Sequence, residues 1–164
     1  MQCGGIGIFV KNIAEALALK GVNVHVLGYG RKQSRPELIN GVMVHWIWLP
    51  NPLYKKIKIS GHPYSVAYIL RRHYLSLRLD YLVKRQNFDL VESYDFSGPL
   101  AYKPKCKLIV RLHGATLVCR FGEGRPRDIH PLQKYFEIKN VRMADHVIAP
   151  SHNIGNTTNQ VLGL

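Results

Sequence analysis

The chain has 164 residues, enough for one domain with a substantial core. Its 46% apolar and 20% charged content excludes an intrinsically disordered chain. Lys and Arg number 23 against 10 Asp and Glu, and the net charge of +13 points to an anionic partner: nucleic acid, an anionic membrane or a phosphorylated substrate.

Gly4-Gly5-Ile6-Gly7 opens the chain as a tight turn feeding a helix. Ile6, Phe9, Val10, Ile13, Ala14 and Leu17 recur at helical spacing, which predicts one buried face, and Lys20-Gly21 closes the helix. Bare N–H groups at such a helix start favour a phosphate. Val22 to Leu27 reads as a strand ended by Gly28-Tyr29-Gly30, Arg31 to Asn40 as a loop, and Val42 to Leu49 as a second strand. His25 and His45 lie inside these strands and read as structural histidines.

Pro50-Asn51-Pro52 begins a connector. From Tyr54 to Arg85 stand eight basic residues (Lys55, Lys56, Lys58, Arg71, Arg72, Arg78, Lys84 and Arg85) and one acid, Asp80. Pro63 suits the first turn of a helix in which Ala67, Leu70, Tyr74, Leu77 and Tyr81 form one apolar line, with the arginines largely off it. Such a segment is either a solvated helix face or a dock for anionic lipid headgroups.

Phe88 to Glu92 reads as a short strand and Ser93 to Pro99 as a turn. Lys107 to Leu112 is nearly all apolar and β-branched, as a strand buried on both faces would be, and it runs into His113-Gly114-Ala115. Thr116 to Arg127, rich in Gly, Arg and Pro, reads as a loop. Ile129 to Met143 reads as a helix with Leu132 and Phe136 inward, Asp145 to Pro150 as a strand, and Ser151 or Asn153 as the cap of a last helix.

Strands alternating with helices predict an α/β, Rossmann-like domain with a mainly parallel sheet. Cys3, Cys106 and Cys119 are odd in number and include no C-x-x-C pair, which fits a reducing compartment better than a disulfide framework. Eight scattered histidines show no metal-ligand spacing, so no metal is expected. No apolar run reaches the length of a spanning helix, and no secretory signal pattern opens the chain.

Ligands of open α/β sheets bind beyond the carboxyl ends of the strands. The glycine turn, Glu92-Ser93-Tyr94-Asp95, His113-Gly114 and Ser151 all fall at such places. His113 is the most informative histidine: it ends a buried strand, and Gly114 leaves room beside it.

In order and spacing, these stretches resemble the N-terminal half of a family 4 glycosyltransferase, a two-domain GT-B enzyme. The resemblance rests on Gly4-Gly5-Ile6-Gly7 with Asn12 to Leu17, then Lys20 to Val26, and then Phe88 to Glu92. It continues through Ile109 to Gly114, Glu137, and Ala144 to Ser151. It implies a domain over residues 1–164 that binds the acceptor. Gly4, Gly5 and Gly7 would border the donor diphosphate and the acceptor, and His113 would sit beside the transferred sugar. Glu92, Tyr94 and Asp95 would take an acceptor-side position that varies within the family, with Gly114 and Ser151 on the same rim. Transfer would run from a nucleotide diphosphate sugar to a saccharide or lipid-linked acceptor, with retention and without a catalytic metal or other cofactor.

The family places an apolar mid-sheet strand before the glycine turn, where only Met1-Gln2-Cys3 stand, so that strand is expected to be missing. The nucleotide-binding half with its E-x7-E motif is absent from these residues, so the chain alone is expected to be inactive. An NADP-binding Rossmann domain would use the same glycines, but Gly28-Tyr29-Gly30 stands where the ribose-binding acid belongs, leaving Arg31 for a 2′-phosphate. A nucleic-acid module could use the interleaved tyrosines and arginines of 64–85, but no RNA- or DNA-binding signature accompanies them. The expected location is cytoplasmic, with peripheral attachment to an anionic membrane through residues 54–85.

Overall fold

The chain divides into two units, Met1–Pro52 and Leu53–Leu164, in a computed structural model that describes residues 5–30, 35–48, 64–125 and 129–163. The first unit holds α1 (Gly5–Leu19), β1 (His25–Tyr29), β2 (Glu37–Ile39) and β3 (Val42–Ile47). Helix α1 stops where expected. Gly21, at φ +81°, donates to Ala18 O at 2.9 Å, and Val22 N–H donates to Leu17 O at 3.1 Å. These paired bonds satisfy the last carbonyls and require the left-handed conformation that glycine takes freely.

The sheet order is β1-β3-β2, with β1 parallel to β3 and β2 antiparallel to it. The predicted loop over Arg31 to Asn40 therefore needs correction, because its end is strand β2. Asn40 and Gly41 take φ of +51° and +80° between the paired residues Ile39 and Val42. Two consecutive positive φ values make the two-residue turn that matches strand twist, and Asn-Gly is its favoured sequence. The buried face predicted for α1 is only partly realised: Ala14 is buried, Ile6, Phe9, Val10 and Ile13 are half-covered, and Leu17 is exposed. A three-stranded sheet whose β2 residues are all exposed offers this helix little to pack on.

His25 and His45 share this unit's parallel pair of strands. Nδ1 of His25 lies 2.9 Å from Nε2 of His45, and the rings stack with centroids 5.0 Å apart. That is a structural role, as expected, and burial lowers the pKa of His25.

The second unit runs α2 (Tyr64–Gln86), β4 (Leu90–Tyr94), β5 (Lys107–Arg111), α3 (Thr116–Gly122), α4 (Pro131–Arg142), β6 (His146–Ile148) and α5 (His152–Leu162). Its sheet, β4-β5-β6, is parallel throughout, with Leu90 opposite Lys107 and Ile109 opposite His146. This is the Rossmann-like α/β arrangement the sequence predicts. Strand β5 is central, and Leu108 and Val110 are 0% exposed. β4 lies two residues later than the predicted 88–92.

Two further expectations are corrected in this unit. Residues 116–122, predicted as loop, are helix α3, whose Leu117 and Val118 are buried. The face by which α2 packs is not the line through Leu70, Leu77 and Tyr81, all of which are exposed. Arg72, Leu75, Ser76, Leu82 and Val83 are buried instead. Arg72 and Ser76 disguise that face in the sequence because both are polar.

Candidate active-site rim

Because β4, β5 and β6 are parallel, their carboxyl ends share one edge of the second unit. Asp95 follows β4 directly, His113-Gly114 follows β5 after Leu112, and Ser151 follows β6. The ladder carries on past the strands: Asp95 N–H donates to Arg111 O at 3.2 Å, and Leu112 N–H to Ile148 O at 2.9 Å.

Asp95 is 0% exposed, and its Oδ1 accepts the backbone N–H of His113 at 2.8 Å. The carboxylate at the end of one strand thus fixes the histidine at the end of the next. Burial raises the pKa of Asp95, while the backbone N–H groups of His113, Ala115 and Phe96 nearby lower it. His113 itself is half-buried. Gly114, at φ +95°, stands where an added Cβ would lie 3.2 Å from Cys119 Sγ. Both the dihedral and the space favour glycine there.

A second carboxylate, 0% exposed, underpins this rim from α4. Glu137 Oε1 accepts from Ser97 N–H and Thr116 N–H, each at 2.9 Å, and Oε2 accepts from Leu117 N–H at 3.0 Å. One side chain therefore ties the loop after β4 to the first turn of α3. The start of α3 is occupied by this carboxylate, which also favours the positive end of the helix dipole. Opposite it, Arg72 reaches the same loop from α2. Nε donates to Gly98 O at 2.7 Å, Nη2 donates to Ser97 O, and the guanidinium lies over the Tyr68 ring, 3.1 Å from its centroid.

Ser97 and Gly98 both have positive φ, +62° and +51°. A Cβ on Gly98 would fall 2.3 Å from the Phe136 carbonyl, so α4 backs directly onto the loop. Asn140 holds the loop's exit, accepting from Leu100 N–H at 3.0 Å and donating to Leu100 O at 2.8 Å. Backbone held in such sparsely populated conformations persists only where its surroundings over-determine it.

The remaining predicted site residues separate. Glu92 lies within β4 and is forked to Arg111 of β5, Oε1 to Nε at 2.7 Å and Oε2 to Nη2 at 3.1 Å, so its charge is matched in the sheet. Tyr94 is half-buried; desolvation pushes its phenol pKa up, and Arg72 and Arg71 draw it back. Ser151 Oγ caps α5 by accepting from Ile154 N–H at 3.3 Å, as expected, and keeps its hydroxyl proton to donate. Beside it lies an open groove of about 720 Å³ lined by Leu112, Val147, Ser151, Asn156 and Thr158, whose wall does not include Asp95 or His113. Gly5 and Gly7 belong to the first unit and form the first turn of α1, and Gly4 lies outside the described residues. Among the described residues no three His, Cys, Asp or Glu side chains converge as metal ligands.

Nothing local in the sequence marks Arg72, Ser76, Glu137 or Asn140 as support for this rim. Polar residues at i and i+4 on helices (Arg72 with Ser76, Gln133 with Glu137) look like solvated positions when read along one helix. Their tertiary partners are 17 to 40 residues away, as Thr116–Gln133, Ala101–Ser76 and Leu100–Asn140 illustrate.

No curated protein matches the chain. The family model described as Glycosyltransferase Family 4 matches residues 3–164, nearly the whole sequence. The chain belongs to glycosyltransferase family 4.

Proposed function

We propose that this chain is the acceptor-binding half of a retaining glycosyltransferase that uses a nucleotide diphosphate sugar. Its acceptor is either a saccharide or a lipid-linked molecule. The observation that carries this reading is the Asp95–His113 link, which sets a histidine at the carboxyl edge of a parallel sheet in a family 4 chain. Ligands of open α/β sheets collect along that edge.

In this reading His113 faces the transferred sugar and positions acceptor and donor, and Asp95 is a positioning residue that acts through the His113 backbone. Tyr94 and Ser151 supply acceptor contacts along the rim, while Glu92 tunes that edge through Arg111. Gly114 lets the chain turn away and leaves room for a sugar ring. Gly4, Gly5 and Gly7 border the donor diphosphate. In this reading the nucleotide is held by a second half bearing the E-x7-E motif, and the rim around Asp95 and His113 binds the acceptor. The reaction needs no metal or other cofactor. The protein works on the cytoplasmic side of a membrane.

The test is a titration of the ¹⁵N-labelled chain with free mono- and disaccharides, followed in ¹H–¹⁵N spectra. Shifts in residues 95–98, 113–117 and 151–155, lost in His113→Ala, are the expected result. Saccharide-induced shifts confined to other residues, or no shift with any sugar at tens of millimolar, would overturn the reading. Product formation from nucleotide sugars by these 164 residues alone would overturn the assignment of the nucleotide to a second half.

A further inference from the structure

Val66, Leu70, Leu77 and Tyr81 are 43%, 49%, 60% and 48% exposed, and all stand on α2. Steps of four, seven and four residues put them on one line of the helix, with Tyr74 between them. That line is opposite the packed face formed by Arg72, Leu75, Ser76, Leu82 and Val83. An outward apolar stripe several turns long needs a cause, since soluble helices turn such stripes inward.

Charge along the stripe identifies the partner. Arg71, Arg78 and Arg85 recur every seven residues and form a row along one flank of the stripe, and Lys84 is exposed in the last turn. Arg78 and Arg85 bend over the Tyr81 ring, 5.5 and 5.9 Å from its centroid, and Arg85 Nη1 donates to Tyr81 Oη at 2.8 Å. The single acid of α2, Asp80, is turned elsewhere, towards Tyr102 and Cys106, whose pKa values burial raises first and the Asp80 charge raises further. It does not neutralise the arginine row.

We infer that the outer face of α2 lies on an anionic lipid bilayer, with Val66, Leu70, Leu77 and Tyr81 in the headgroup–acyl boundary and the arginines on lipid phosphates. Aliphatic side chains beside a cationic row suit this surface: the aliphatic groups enter the boundary, and each basic residue near the surface adds its own attraction. A single nucleic-acid strand would instead need aromatic platforms where Val66, Leu70 and Leu77 stand. Arg72 takes no part, because it is buried. No helix among the described residues is long and apolar enough to cross a membrane, so contact through α2 is along the surface. This inference rests on α2 alone and does not depend on the acceptor reading.

The experiment is co-sedimentation of the 164-residue chain with vesicles of phosphatidylcholine, with and without 30 mol% phosphatidylglycerol. Binding is expected to anionic vesicles only, falling severalfold as salt is raised from about 50 to 500 mM, which compresses the Debye length severalfold. Arg78→Glu with Arg85→Glu should weaken binding by at least 20-fold, taking about fivefold per basic residue lost. Leu70→Ser with Leu77→Ser should abolish it while leaving the far-UV CD spectrum and melting temperature unchanged, since both side chains are exposed. Equal binding to neutral vesicles, no binding to anionic vesicles at low salt, or unchanged binding by either double variant would overturn the inference. So would a dimer in sedimentation equilibrium that the leucine variant dissolves while lipid binding persists.

Discussion

Among the described residues, those buried in the first unit are Ala14, Val42, His45 and Ile47, whereas the second encloses Arg72, Ser76, Asp95, Glu137, Asn140 and Thr158 among its apolar side chains. Most of the second unit's buried polar groups serve backbone. Glu137 alone accepts three N–H groups from two separate segments, and Asn140 and Ser76 hold the segment that follows. The first unit is held by its strand ladder, one histidine pair and a half-covered helix. A buried polar group is costly unless satisfied, so where several are satisfied together they specify one backbone arrangement. The arrangement specified here is the rim that carries Asp95 and His113.

The largest expected effect tests this contrast directly. Glu137→Ala leaves Ser97, Thr116 and Leu117 N–H groups without their acceptor and should destabilise the second unit by on the order of 3–5 kcal/mol. Urea unfolding followed by far-UV CD measures it. Both tryptophans of the sequence, Trp46 and Trp48, lie in the first unit, so the fluorescence transition should move less than the CD transition. Equal shifts in both signals would break the distinction between the units.

Leu108→Ala sharpens it further. Leu108 is 0% exposed on the central strand, and its truncation should cost about 2–5 kcal/mol. Leu38→Ala, on a strand residue 69% exposed in the first unit, should stay within about 0.5 kcal/mol. Removing the cap of α5 with Ser151→Ala should cost about 1 kcal/mol in the same urea assay.

The smallest effect is a pH dependence confined to the first unit. Burial holds the pKa of His25 below its ordinary value, so the unfolded chain takes up this proton more readily than the folded one. Stability tied to neutral His25 is therefore present above the unfolded pKa and is lost as pH falls below it. Protonating both rings would also set two cations against each other across a 2.9 Å contact. Between pH 7.5 and 5.5 the tryptophan transition should move to lower temperature, and His25→Gln should remove most of that movement. An unchanged transition would show that the histidine pair does not support the unit.

What could be read from the chain itself followed local rules. The closure of α1 at Gly21, the buried strand through Leu108 and Val110, and the Ser151 cap each depend on neighbours a few residues away. Strand β2 was also locally encoded, by Asn40-Gly41, but the polar run before it read as loop. Helix α3 was not locally encoded. Its first N–H groups are capped by Glu137, about twenty residues on, and its surroundings are full of Gly, Arg and Pro. The packed face of α2 was hidden for the same reason, because Arg72 and Ser76 find their partners only after the chain returns through Ser97 to Ala101. For the rim, strand-end logic puts Asp95, His113, Gly114 and Ser151 just past the strands, where they stand, but does not reveal the side chains that hold that edge in place.

Amide hydrogen exchange tests most directly whether this rim is built in advance. The N–H groups of Ser97, His113, Thr116 and Leu117 all donate to carboxylate oxygens of Asp95 or Glu137. They should exchange as slowly as the β5 ladder, opening only when the second unit unfolds. Exchange at the rate of the exposed β2 amides would contradict the account.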